Sequence, residues 1–160
     1  MELEVLSQDL KALFDEGPVS DPESVAALLG LRSQFDAYVT ASVGEFDKWG
    51  AWALDGARSA AAWVAARGKL ARVEARRLVR RGRALDHLPA SAEAWRQGDI
   101  GAAHVDTLER ARNPRTRDCL ERDEKLLVDC GSTLGPEHFG RAVAYWCQLA
   151  DPDGTEESAE

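Results

Sequence analysis

Four arginines and a histidine on one short stretch are the first residues that could do chemistry. Arg72, Arg76, Arg80, Arg83 and His87 recur every three or four positions. At about 100° per residue they form one helical stripe about 80° wide, with Ala71, Ala75, Leu78, Gly82 and Leu85 opposite. A helix built on them presses an apolar side inward and holds four guanidinium groups outward. Such a face suits phosphate oxygens, which accept forked N–H donors and attract the charge. It suits plain solvation equally, or neutralisation by acidic helices of the same chain, because exposed charged faces are common. Arg77 and Arg81 flank the apolar side, where their stems can lie along hydrophobic surface.

The charge is segregated along the chain. Residues 1–57 hold 11 acidic and three basic side chains, residues 58–97 three and ten, and residues 98–160 fourteen and seven. A basic segment therefore sits between two acidic ones, hidden by a total of −8. Within it, residues 59–88 parse as helix, glycine-containing turn, helix, the outline of a helix-turn-helix. No row of Asn, Gln or Ser faces outward beside the arginines to read bases.

Other chemistry lacks its residues. His87, His104 and His138 are isolated, without a second His or a Cys at helical ligand spacing. Asn113 is the only Asn, so a His-Asn-His nuclease centre cannot be assembled from this chain. No nucleophile elbow, phosphate loop or dinucleotide turn occurs. Asp123 and Glu124 read as a solvated pair on a helix surface, His104 as a packing residue near a helix start, and the five Trp as core and corner fillers. These readings assign no catalytic residue, metal ligand or cofactor.

The elements that must position the arginines are helices. Ala occurs 26 times and Leu 18 times, against 11 Val, five Thr and the single Ile100. Ala and Leu lose little on entering a helix, whereas sheets favour branched side chains. The chain is expected to be all-α, with about seven helices in one domain over residues 1–152 and a disordered acidic tail over 153–160. Leu3, Leu6, Leu10 and Leu13 set a first helix over 2–15. Asp21-Pro22 opens a long one to about residue 49, with a stripe of Val25, Leu28, Leu31, Phe35, Tyr38, Val39, Phe46 and Trp49. That stripe is expected to bury itself against residues 2–15 or against a second copy. Further helices are expected over 59–68, 71–88, 91–98, 101–112, 113–131 and 135–150, with Ser59, Ser91 and Asn113 as caps.

No apolar run reaches the ~20 residues of a membrane span, and the acidic N-terminus lacks the basic region of a signal peptide. Cys119, Cys130 and Cys147 form no paired motif. A cytoplasmic protein with reduced thiols is expected.

An ordered series of words in the middle of the chain carries a resemblance. It runs Ala62-Trp63-Val64-Ala65, Leu70-Ala71-Arg72-Val73-Glu74-Ala75-Arg76-Arg77-Leu78, Gly82-Arg83-Ala84-Leu85, Leu88-Pro89 and Gly98-Asp99-Ile100-Gly101-Ala102-Ala103-His104. The series resembles domain of unknown function 222, the helical N-terminal region of actinobacterial thirteen-E-twelve repeat proteins, over about residues 20–154. The resemblance implies an HNH endonuclease module further along, before which this chain reads as truncated, and a link to DNA processing. It carries no catalytic residue onto this sequence. Ala71 and Gly101 stand where the family usually has Ser or Thr, and Ser, at cap positions; Ala there forfeits about 1 kcal/mol and Gly a few tenths.

The function expected is a non-catalytic accessory or targeting domain of an HNH-endonuclease-type protein. It would contact DNA non-specifically through Arg72, Arg76, Arg80 and Arg83, or bind a downstream nuclease partner. The alternatives are a module that self-associates through the long helix and an inactive fragment.

Overall fold

The computed structural model describes residues 3–154. Residues 155–160, most of the expected tail, lie outside the described residues. The fold is all-α, with eight α-helices and one 3-10 turn among the described residues. It divides into two compact units, Met1–Arg32 and Ser33–Glu160. Helix α2 runs through the boundary in the chain.

The first unit holds α1 (Leu3–Glu16) and the opening turns of α2 (Pro22–Trp49). Gly17, at φ 88°, takes the left-handed conformation that ends α1, and its N–H donates to the Leu13 carbonyl. Asp21 caps α2 by accepting from the Ser24 amide at 2.8 Å, which holds its carboxyl below the ordinary range. Not one residue of α1 is buried. Leu10, Leu13, Phe14, Val19, Leu28 and Leu31 line an open apolar groove of about 510 Å³.

The second unit holds the rest of α2, then α3 (Ala60–Gly68), α4 (Arg72–Leu85), α5 (Pro89–Gln97), α6 (Ala102–Ala111), α7 (Arg117–Gly131) and α8 (Pro136–Ala150). The 3-10 turn Ala51–Asp55, bracketed by left-handed Gly50 and Gly56, joins α2 to α3. Helix α3 packs on α4, α5 on α7, and α6 on α8. The main core gathers Leu88, Trp95, Val105, Leu108, Leu120 and Phe139, each no more than 1 % exposed. A smaller core of Ala60, Val64, Ala75 and Val79 seals α3 to α4.

The long helix forms as the sequence predicts, but its large apolar stripe is not its buried side. Val25, Leu28, Leu31, Phe35, Tyr38 and Trp49 are exposed and Val39 and Phe46 half-buried, while Ala37 and Thr40 are buried. Within the second unit, α2 and α4 cross with bare backbones in contact. A Cβ on Gly44 would stand 2.8 Å from the Gly82 carbonyl oxygen, and one on Gly82 would stand 2.8 Å from the Gly44 nitrogen. Helix α4 therefore meets α2 at Gly44, while Val43 packs on the α3–α4 core and Phe46 lies 4.5 Å from the Trp63 ring of α3.

Three helix ends also differ from expectation. Helix α4 stops at Leu85 rather than 88, because Pro89 bars Leu88 from helical geometry. Leu88 takes φ −130°, ψ 62° and buries its side chain, and Pro89 opens α5. Ser91 therefore lies inside the first turn of α5 rather than capping it. Helix α7 begins at Arg117, because the Asn113 side chain accepts from the Arg115 and Thr116 amides and makes a separate turn.

Glu124 is not the solvated residue its sequence neighbourhood suggests. It is 5 % exposed, and one carboxylate oxygen accepts from the Ser91 amide at 2.8 Å and the Ser91 hydroxyl at 2.7 Å. The Ser91 amide is one of the donors that the first turn of α5 leaves unpaired, at the positive end of the helix dipole. So α7 caps α5 from outside. Asp123 next to it is held down to about 2 by the Arg122 guanidinium and by the Trp146 indole N–H of α8. Among the five Trp, Trp95 is wholly buried, but Trp49 is 82 % exposed and fills no core.

Two substitutions test this packing. Gly82→Ala should destabilise the protein by about 1–3 kcal/mol, the usual cost of overpacking. Gly140→Ala in α8, where a Cβ meets nothing within 4 Å, should stabilise by up to about 1 kcal/mol, since Ala is the better helix former. Urea unfolding gives both signs, and a stabilised Gly82→Ala would show that the crossing relaxes freely. Glu124→Leu should cost about 3 kcal/mol or more by stranding the Ser91 donors, whereas Glu124→Gln keeps an acceptor and should cost less than half as much. Equal unfolding midpoints for the parent and Glu124→Leu would refute the external cap.

Candidate nucleic-acid interface

Helices α3 and α4 form the helix-turn-helix-like corner read from residues 59–88. Ser59 caps α3 by accepting from the Ala62 amide at 3.1 Å. Lys69, at φ 52°, turns the chain, and Ala71 precedes α4. Ala71 has no side chain to cap with. The Glu74 carboxylate still accepts from the Ala71 amide at 3.3 Å, so half of a capping box survives. Burial of Ala75, Val79, Gly82 and Ala84 then orients α4 with its arginine stripe outward.

All four stripe arginines are exposed, yet they divide into two pairs. Arg83 forks onto Asp47 of α2, at 2.6 and 3.2 Å, and that hydrogen-bonded carboxylate raises its pKa further. Arg80 stands 3.5 Å from Glu109 of α6. Arg72 and Arg76, on the N-terminal half, have no hydrogen-bond or ion-pair partner among the described residues. They line a groove of about 570 Å³ between α3 and α4, together with Arg58. Arg58 likewise lacks a carboxylate partner among the described residues, and no acidic side chain lines the groove.

Arg58 is the residue that helical periodicity missed. It precedes α3 in an irregular segment, so no repeat aligns it with Arg72 and Arg76. The charge count over residues 58–97 included it, but only the packing of α3 on α4 brings it to their groove. Arg81, by contrast, is structural. Its guanidinium forks onto Asp106 at 2.8 and 2.7 Å and lies 5.7 Å over the buried Trp95 ring. The side chain is only 14 % exposed.

His104 packs near a helix start, as its position suggests. Nδ1 accepts from the Gly101 amide at 3.2 Å, Nε2 lies 2.9 Å from the Leu134 carbonyl, and the ring meets Phe139 at 5.0 Å. With Nδ1 accepting, the neutral tautomer protonated at Nε2 satisfies both contacts. Among the described residues no three His, Cys, Asp or Glu side chains cluster as metal ligands. Nor is any helix among them long and apolar enough to cross a membrane.

Residues 23–160 match the family model described as Domain of unknown function (DUF222). No curated protein and no solved structure matches the chain. The family match spans both the arginine-bearing corner and the helices that hold it, and the chain belongs to the DUF222 family.

Proposed function

We propose that this chain is a non-catalytic helical accessory or targeting domain of an HNH-endonuclease-type protein, and that it contacts DNA phosphates through the N-terminal half of α4. The observation that carries the DNA contact is the set of unpartnered cations Arg58, Arg72 and Arg76 around one groove. Guanidinium groups without carboxylates remain available for phosphate oxygens. Their location fits the corner they occupy, because helix-turn-helix proteins use the N-terminal residues of the second helix in the groove. The nuclease association rests on the resemblance of the sequence words.

A second use is favoured by a separate observation, the exposed apolar surface of the Met1–Arg32 unit. Leu3, Leu6, Leu10, Leu13, Phe14, Leu28 and Leu31 are each at least 38 % exposed. A second copy of the same hairpin would cover them in a four-helix arrangement, and large apolar side chains of this number expose on the order of 800 Å², the share of one partner in a standard interface.

DNA binding should therefore be salt-dependent and weakly sequence-specific. With three phosphate contacts the log–log salt slope should be about −2.7. Arg72→Gln and Arg76→Gln should each make it shallower by about 0.9, whereas Arg83→Gln should leave it unchanged. Fluorescence anisotropy of a short duplex over a salt series measures this. A triple Gln variant at 58, 72 and 76 that binds like the parent would refute the interface. For self-association, sedimentation equilibrium should show mass rising with concentration, and Leu28→Glu with Leu31→Glu should abolish the rise. A parent that stays monomeric throughout would remove the second use.

A further inference from the structure

Between α4 and α6 lies a second cationic cleft, of about 240 Å³, lined by Arg80, Arg83, Ala84, His87, Glu109 and Arg112. Three guanidinium groups and an imidazole converge there on one carboxylate in the lining. Glu109 stands 3.5 Å from Arg80, and Asp47 takes both arms of Arg83. Arg112 receives neither. Its Nε is buried and has no hydrogen-bond partner, and no carboxylate pairs with it among the described residues.

The Arg112 side chain as a whole is only half-buried, and a guanidinium without a carboxylate partner is available to an anion in the cleft it lines. Arg112 follows the last turn of α6, and its own amide donates to the Leu108 and Glu109 carbonyls. The negative end of the α6 dipole favours a cation at this place. It does not supply a full counter-charge to the guanidinium. An anion seated in the cleft meets the part of Arg112 that lines it, with Arg80 and His87 bordering the same small space. A tetrahedral anion offers oxygens in several directions at once, whereas a carboxylate offers two in one plane. The volume is below the range of pockets that enclose whole drug-sized ligands, and it suits a single anionic group.

We infer that this cleft is a phosphate-binding site whose donors are Arg112, Arg80 and His87. The site is separate from the Arg58–Arg72–Arg76 groove and stands whether or not that groove binds DNA. The phosphate can belong to a free anion or to a nucleic-acid backbone, and the two sources share the same contacts.

The test uses the full chain and inorganic phosphate. Thermal unfolding is followed as phosphate replaces chloride at constant ionic strength. Phosphate should raise the Tm by a few degrees at saturation, as binding to the folded state requires. Arg112→Met, which keeps an unbranched stem, should lose the rise. Arg80→Gln, at an exposed position, should reduce it and covers the case in which Arg112→Met does not fold. Arg72→Gln should retain it. No rise beyond chloride in the parent, or an undiminished rise in both cleft variants, overturns the site. A duplex-binding arm separates the sources. If the backbone supplies the phosphate, Arg112→Met makes the salt slope shallower by about 0.9 and inorganic phosphate competes with the duplex. If a free anion supplies it, duplex binding is unchanged while the Tm response disappears. Loss of duplex binding by the Arg58, Arg72 and Arg76 variants with an intact phosphate response leaves this site standing on its own.

Discussion

Backbone meets backbone where α2 crosses α4 at Gly44 and Gly82, and there is no room for a methyl group on either side. That contact sets how near α4 can come to α2 and which way it is rotated. Asp47, one turn beyond Gly44, then meets Arg83, one residue beyond Gly82. With that rotation Ala75 and Val79 seal against α3, and Arg81 reaches Asp106 over Trp95. The same closeness buries the Thr40 hydroxyl without a partner among the described residues. The polar cost of the approach is local, whereas the burial it permits runs the length of α4.

Rotation of α4 also decides which charges are free. Its C-terminal half lies between α2 and α6, both of which present carboxylates. Its N-terminal half lies beside α3, whose groove-lining face is Ala-rich and without an acid. A stripe of equivalent arginines in sequence thus becomes two chemically different halves. The C-terminal half is tied into the fold, with a guanidinium left over at Arg112 of the neighbouring helix. The N-terminal half is open to anions.

Buried charge elsewhere follows the same rule of exact partnership. Glu124 lies in the core because the first turn of α5 lacks an acceptor for Ser91, and a carboxylate from α7 supplies it. The Met1–Arg32 unit shows the opposite situation. A 14-residue helix with no buried side chain is at the margin of stability by itself. Its leucines carry a packing potential that the unit does not use internally.

The sequence alone determined the helical class, the extents of α1, α2, α3, α6 and α8 to within about two residues, the outward arginine stripe, the structural role of His104 and the family. These depend on local effects, namely propensity, periodicity, Pro and Gly punctuation, and the order of short words. Tertiary structure decided the rest. It chose the small side of α2 over the large apolar one, turned Glu124 from a surface residue into an internal cap, removed Arg83 from the free cations, and added Arg58 and Arg112 to clefts far from them in sequence. Each of these depends on a partner from another helix. Periodicity tells which residues share a face, but only packing tells what that face meets, and for a charged side chain the partner determines its chemistry.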